Sequence, residues 1–289
     1  MPRPDLALLP LSYRRIPILA VGRDIYLDTR LILRKLETLF PTTTTNTPTL
    51  GATNPQDLFV EKLLGRYMVE GPVFGMAAGL VPVEVAQDPT FNKDRKGFIL
   101  KEWSKEELDG GRADCLNYAR NLFGFFEETV LEDGREWVLG KEGPRLADIE
   151  GAWAFEFLVN MQLPSKLISE KQYPKVFAWL TRYRAACEAA KASAPKPTTL
   201  EGQAAADHIL RSEFAELRGS VDENDPLGLK EGVEVEVYPA DWVTEHRDRG
   251  RLVSLTPDEV TISVESKAGV DFRVHAPRTG FKVIEIGKE

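Results

Sequence analysis

The chain has 289 residues, more than one average domain and fewer than three. Hydrophobic residues make up 43% and charged residues 28%, which excludes wholesale disorder. The net charge of -8 argues against a nucleic-acid binder, because phosphates attract basic surfaces, and against an electrostatic membrane anchor.

Arg15 to Val21 (RIPILAV) is aliphatic and β-branched and reads as a buried strand. Gly22-Arg23-Asp24 turns the chain, and Ile25 to Leu27 returns as a second short strand. Asp28 then serves as N-cap for a helix with Leu31, Ile32, Leu36 and Leu39 at helical spacing, stopped by Pro41. The stretch from Pro41 to Asn54 is rich in threonine and proline and reads as a linker.

From Asn54 to Arg218 the pattern is helical. Leu58, Phe59, Leu63 and Tyr67 form one stripe, and Cys115, Leu116, Phe123, Phe126 and Val130 a second. Leu146, Ile149, Trp153 and Phe157 form a third, and Val176, Phe177, Trp179, Leu180 and Tyr183 a fourth, opened by Pro174. Ser193 to Thr199 is a second connection, and the polar run Gly219 to Gly228 marks the main domain boundary. The period then changes. Val233, Val235 and Val237 alternate with glutamates, as do Val260, Ile262 and Val264 with polar residues. Five short strands separated by turn residues predict a small barrel or rolled sheet.

The two cysteines, Cys115 and Cys187, and the three histidines, His208, His246 and His275, are scattered without metal-type spacing, so no metal site is expected. Trp242, His246, Arg247, Arg249 and Arg251 make an aromatic–basic patch, but Asp241, Glu245 and Asp248 dilute its charge. No Ser-His-Asp order, phosphate-cradling glycine loop or paired-carboxylate signature is present. No apolar run approaches the roughly 20 residues that span a bilayer. The start has no signal-peptide pattern, and a cytoplasmic protein without a membrane partner is expected.

Three segments carry a resemblance. Arg15-Ile16-Pro17-Ile18-Leu19, followed by Gly22-Arg23-Asp24 and by Asp28-Thr29 before a helix, resembles the second half of the thioredoxin-like domain of glutathione S-transferases. Pro144-Arg145-Leu146-Ala147-Asp148-Ile149 is similar to the helix start of that family's all-helical domain, with Arg145 in place of the capping hydroxyl. The later YPKVFAW segment strengthens the match, and the arrangement with its β-tail resembles fungal members of the superfamily.

The resemblance implies a mainly α protein with an α/β remnant. Residues 1–41 would be a partial thioredoxin-like segment, 54–218 an all-helical domain and 226–289 a small β-barrel-like domain. It implies a cis bond before Pro17, and glutathione held as co-substrate by Ile16 and Pro17 at its peptide part and by Asp28 and Thr29 at its γ-glutamyl end. Arg66, Tyr67 and Phe74 would line an apolar cleft for a small hydrophobic electrophile, which the protein conjugates or isomerises, and homodimerisation is implied as well.

One departure bears on this. The family's leading strand–helix–strand carries the residue that activates the thiol. Here the dozen or so residues before Arg15 read PRPDLALLPLSY, a connecting loop, and no catalytic residue is assigned. An omitted N-terminus and a lost catalytic part stay open as explanations. So do two further functions: a non-catalytic binding or scaffold protein, and a glutathione-independent enzyme that uses the helical cleft.

Overall fold

The computed structural model describes residues 4–41, 49–93, 104–140 and 142–287. Residues 42–48, the centre of the expected linker, lie outside that set. Two compact units result. The sheet unit takes the described residues of Met1–Leu39, Lys93–Glu102 and Pro197–Glu289, and the helical unit those of Phe40–Asn92 and Trp103–Lys196.

The sheet unit begins with strands β1 (Ile18–Val21) and β2 (Asp24–Leu27), an antiparallel hairpin in the register Ile18 to Leu27. Gly22 turns it with φ 58°. A Cβ there would lie 2.1 Å from the Glu213 carbonyl oxygen, so only glycine admits the later chain at that point. Helix α1 (Thr29–Leu39) follows as expected, with the Arg30 amide capped by Asp28 Oδ1 at 3.1 Å.

The expected C-terminal strands form as β3 (Glu234–Pro239), β4 (Asp248–Leu255), β5 (Glu259–Glu265), β6 (Asp271–Pro277) and β7 (Phe281–Glu285). They do not close into a barrel. All seven strands make one open sheet in the order β1-β2-β6-β5-β4-β3-β7. The join is a parallel pairing of β2 with β6, Tyr26 opposite His275. Parallel strands need no tight turn between them, so the 250-residue separation costs the geometry nothing. β2 is therefore a central strand, buried at every residue, and Ile25 and Leu27 share a core with Val235, Leu252, Ile262, Phe272 and Val274.

The helical unit contains α2 (Pro55–Gly65), α3 (Val73–Ala78), α4 (Val83–Ala86), α5 (Lys105–Phe125), α6 (Leu146–Asn160) and α7 (Pro174–Ser193). Asn54 and Ser104 cap α2 and α5 through their side-chain oxygens. α2 and α5 each run on into a π-helical turn, Arg66–Glu70 and Phe126–Val130. Phe123, Phe126, Phe155 and Trp179 stack at the centre, with ring centroids 4.6 to 5.5 Å apart along their contacts. Asp148 is structural, as its place in the sequence suggests. It accepts from the amides of Arg145 and Val138, both at 2.9 Å, and from Trp179 Nε1 at 2.8 Å. Arg145 cannot supply the missing half of the capping box and instead donates to the Thr49 carbonyl.

Helix α8 (Gly202–Arg211), which falls within the stretch read as the helical domain, is part of the sheet unit, where Ala206 joins the sheet core.

Candidate functional site

The residues expected to bind glutathione gather at one end of the β1–β2 hairpin. Ile18 pairs with Leu27, so Ile16-Pro17 enters and Asp28-Thr29 leaves at the same end. The Ile16-Pro17 peptide is cis. Ile16 is 65% exposed and Thr29 is exposed at the first turn of α1, whereas Asp28 is buried with φ 68°. A helix start presents N–H groups without intrahelical partners.

Asp28 is not free. Arg30 engages both its oxygens, Nε on Oδ1 at 2.8 Å and Nη2 on Oδ2 at 3.0 Å. With the Arg30 amide also on Oδ1, three of the four lone-pair positions of this carboxylate are taken.

The C-terminal segment reaches this end of the hairpin. Arg15 forms a close ion pair with Asp241 and donates to the Trp242 carbonyl at 2.8 Å. Ser12 donates its amide to Asp248 Oδ1 at 2.6 Å, and Tyr13 stacks on Phe281. Burial pushes the Asp248 carboxyl up to about 7, against the lowering by the backbone amides of Ser12 and Tyr13. The basic residues of the aromatic–basic patch each lie beside a carboxylate: Arg247 and Arg249 share Glu236, at 2.7 and 2.6 Å, and Arg251 lies 3.8 Å from Asp271.

Arg66, Tyr67 and Phe74 belong to the helical unit. Arg66 is exposed on the π turn, Tyr67 meets Phe125 edge-on at 5.9 Å, and Phe74 lies 6.4 Å from Trp153. Both aromatic side chains keep about 40% of their surface exposed. Glu150 on α6 faces the buried Glu61 of α2, and burial together with that charge lifts its carboxyl to about 7.

A second cluster, in the sheet unit, was not read from the sequence. His275 on β6 is buried, with Nε2 2.9 Å from Asp24 Oδ1, Nδ1 2.7 Å from Glu259 Oε1 and Thr261 Oγ1 3.2 Å from Nδ1. Lys35 of α1 bonds Glu216 at 2.7 Å and Glu259 at 3.0 Å, and Tyr26 donates to Glu216 at 2.7 Å. Asp24 also accepts from the amides of Ala215 at 2.7 Å and Glu216 at 3.1 Å. Beside it, Arg23 and Arg273 clasp the Phe214 ring, 4.2 and 4.0 Å from its centroid. Burial opposes the charged forms of His275, Asp24 and Glu259. Their mutual hydrogen bonds outweigh it, so the imidazole is held above its ordinary pKa and both carboxyls below theirs. Sequence spacing gives no sign of this cluster, because its members come from five separate stretches of chain.

A family described as a domain of unknown function, DUF7962, matches residues 76–192. No curated protein matches the chain. Among solved structures, a GST-like protein from Pseudomonas syringae superposes with a TM-score of 0.66 at 24% identity, over 99% of this chain and 87% of that one. A glutathione transferase homologue from Sulfitobacter, crystallised with glutathione, gives a TM-score of 0.43 at 19% identity, over 66% of this chain and 80% of that one. The zeta-class maleyl pyruvate isomerase, a bacterial glutathione S-transferase, gives 0.41 at 16% identity, over 64% of this chain and 72% of that one. The chain thus has a GST-like fold, and that likeness spans nearly its whole length. Among the described residues, no helix is long and apolar enough to cross a membrane.

Proposed function

We propose that this protein binds glutathione at the end of the β1–β2 hairpin and acts as a glutathione S-transferase-like protein on a small hydrophobic electrophile. The observation that carries the reading is the convergence there of exposed Ile16 with the buried Asp28 and the exposed Thr29. The ligand's α-carboxylate would sit on the Thr29 hydroxyl and the first amides of α1, where the helix dipole favours an anion. Its α-ammonium would face the Asp28 carboxylate, and the backbone of Ile16 would pair with the cysteinyl part. The bound thiol would react as thiolate, the nucleophilic form. On the helical unit, Tyr67 and Phe74 offer exposed aromatic surface for the acceptor, and Arg66, the chain neighbour of Tyr67, is exposed as well. The free Cys115 and Cys187 fit a reducing compartment, the cytoplasm.

Calorimetric titration with glutathione tests the reading. We expect a Kd in the micromolar to millimolar range, weakened about tenfold by Thr29→Val, which removes the hydroxyl and keeps the shape, and by Asp28→Ala (one strong polar contact each, about 1.4 kcal/mol). Absence of binding to the folded protein, or binding indifferent to both substitutions, would refute it.

A further inference from the structure

The buried cluster around His275 has the parts of a metal centre. Asp24 is fully buried, anchored by two backbone amides, and receives the imidazole at Nε2. A fixed carboxylate on one ring nitrogen is how proteins orient an imidazole whose other nitrogen binds a metal. That other nitrogen, Nδ1, faces Glu259, and one ligand atom each from His275, Glu259 and Glu216 lie within 4.8 Å of one another. The Lys35 ammonium, a single positive charge, bonds to both glutamates.

Charge shows which exchange is neutral. Asp24, Glu216 and Glu259 carry three negative charges, balanced by Lys35, Arg273 and protonated His275. Arg273 lies 3.7 Å from Asp24. If a divalent ion enters, the Lys35 ammonium, 14% exposed on a flexible stem, turns to solvent. Nδ1 then gives up its proton to water. Two positive charges leave and two arrive, so no buried charge is left uncompensated. The glutamate oxygens need to close from 2.7–3.0 Å around the ammonium to about 2.0–2.2 Å around a metal.

We propose that the sheet unit binds one divalent transition-metal ion of the zinc type through His275 Nδ1 and the carboxylates of Glu216 and Glu259. Asp24 orients the imidazole, and Lys35 is the internal cation that competes for the place. The site is distinct from the hairpin end and does not depend on the glutathione reading.

The test uses the full chain and cobalt chloride as probe, followed by visible absorption and calorimetry. We expect one Co2+ per chain, zinc chloride displacing it, and about one proton released per ion, measured in two buffers of different protonation enthalpy (only neutral imidazole ligates). Lys35→Met should tighten binding at least tenfold, and Glu216→Gln should weaken it at least tenfold. Glu216 is partly exposed, so this variant keeps the test valid even if His275→Gln fails to fold. The proposal is overturned if folded wild-type protein takes up no Co2+ at millimolar concentration. Uptake by Lys35→Met alone overturns it too, since lysine would then be the resident cation. Binding unchanged in Glu216→Gln places the ion elsewhere and has the same consequence.

Discussion

The two units bury different things. At the centre of the helical unit, Phe123, Phe126, Phe155 and Trp179 meet through their rings, and the buried carboxylate of Asp148 accepts three hydrogen bonds, one of them from Trp179. The sheet unit has an apolar core of its own, but against it, beside α1, it buries a network of carboxylates and cations. Packing stabilises the first by area removed from water, and losses there scale with the volume deleted. The second is held by mutual neutralisation, so losses there follow charge left unpaired.

The sharpest contrast comes from one deletion in each. Phe155→Ala should cost about 3–5 kcal/mol, because the ring is fully buried against two phenylalanines and Trp179. Asp24→Ala removes far fewer atoms yet should cost a similar 3–5 kcal/mol, since it leaves the Nε2 side of His275, Arg273 and two backbone amides without their buried carboxylate. Urea unfolding measures both. If Asp24→Ala proves nearly neutral, the network is not held by charge pairing and the comparison collapses.

How much of this was legible in the sequence follows the same division. Three of the helical stripes announced the core, with Phe123, Phe126, Leu146, Val176 and Trp179 at the expected spacings and buried, but the first did not, since its Phe59, Leu63 and Tyr67 are exposed. The hairpin, α1 and the five later strands were equally readable, because alternation and turn residues are local signals. Pairing partners are not local. Nothing in DIYL or DFRVHAP tells that these strands lie side by side, so the first strands and the last were read as separate domains and the later five as a small barrel or rolled sheet. The hairpin-end residues were found through resemblance. That Arg30 engages Asp28 was not foreseen, although the two are only two residues apart, since a side chain's direction is set by packing. His275 was read as a lone histidine for want of neighbours in sequence.

A third test uses acidity. Among the described residues, each unit holds a carboxyl pushed up to about 7, the buried Asp248 in the sheet unit and the half-buried Glu150 in the helical unit. For Asp248 the folded state holds its proton up to about pH 7, whereas the unfolded chain releases it near the ordinary value of about 3.9. Between those values the folded state binds more protons, so stability falls as pH rises, and it levels off above pH 7. Asp248→Asn keeps an acceptor for the Ser12 amide and cannot ionise. Its advantage over wild type should be absent near pH 4 and grow to about 4 kcal/mol by pH 8. Glu150→Gln should show the same sign with a smaller gain, because Glu150 retains some solvent contact. Parallel pH profiles for wild type and both variants would contradict the assignment.

The smallest effect belongs to the surface. Arg184 pairs with Glu156 through Nε at 2.8 Å and Nη2 at 3.0 Å, a two-pronged geometry between α7 and α6. Its side chain is 46% exposed, so water and salt screen the pair. Arg184→Met should therefore cost no more than about 1 kcal/mol, and less in high salt. The contrast with Asp24 is the point of the measurement. Both substitutions remove one partner of an ion pair, but Asp24 is buried and also holds two backbone amides, whereas Arg184 is half-exposed. A loss at Arg184 as large as that at Asp24 would mean that geometry, not desolvation, sets the strength of the charge pairs in this protein.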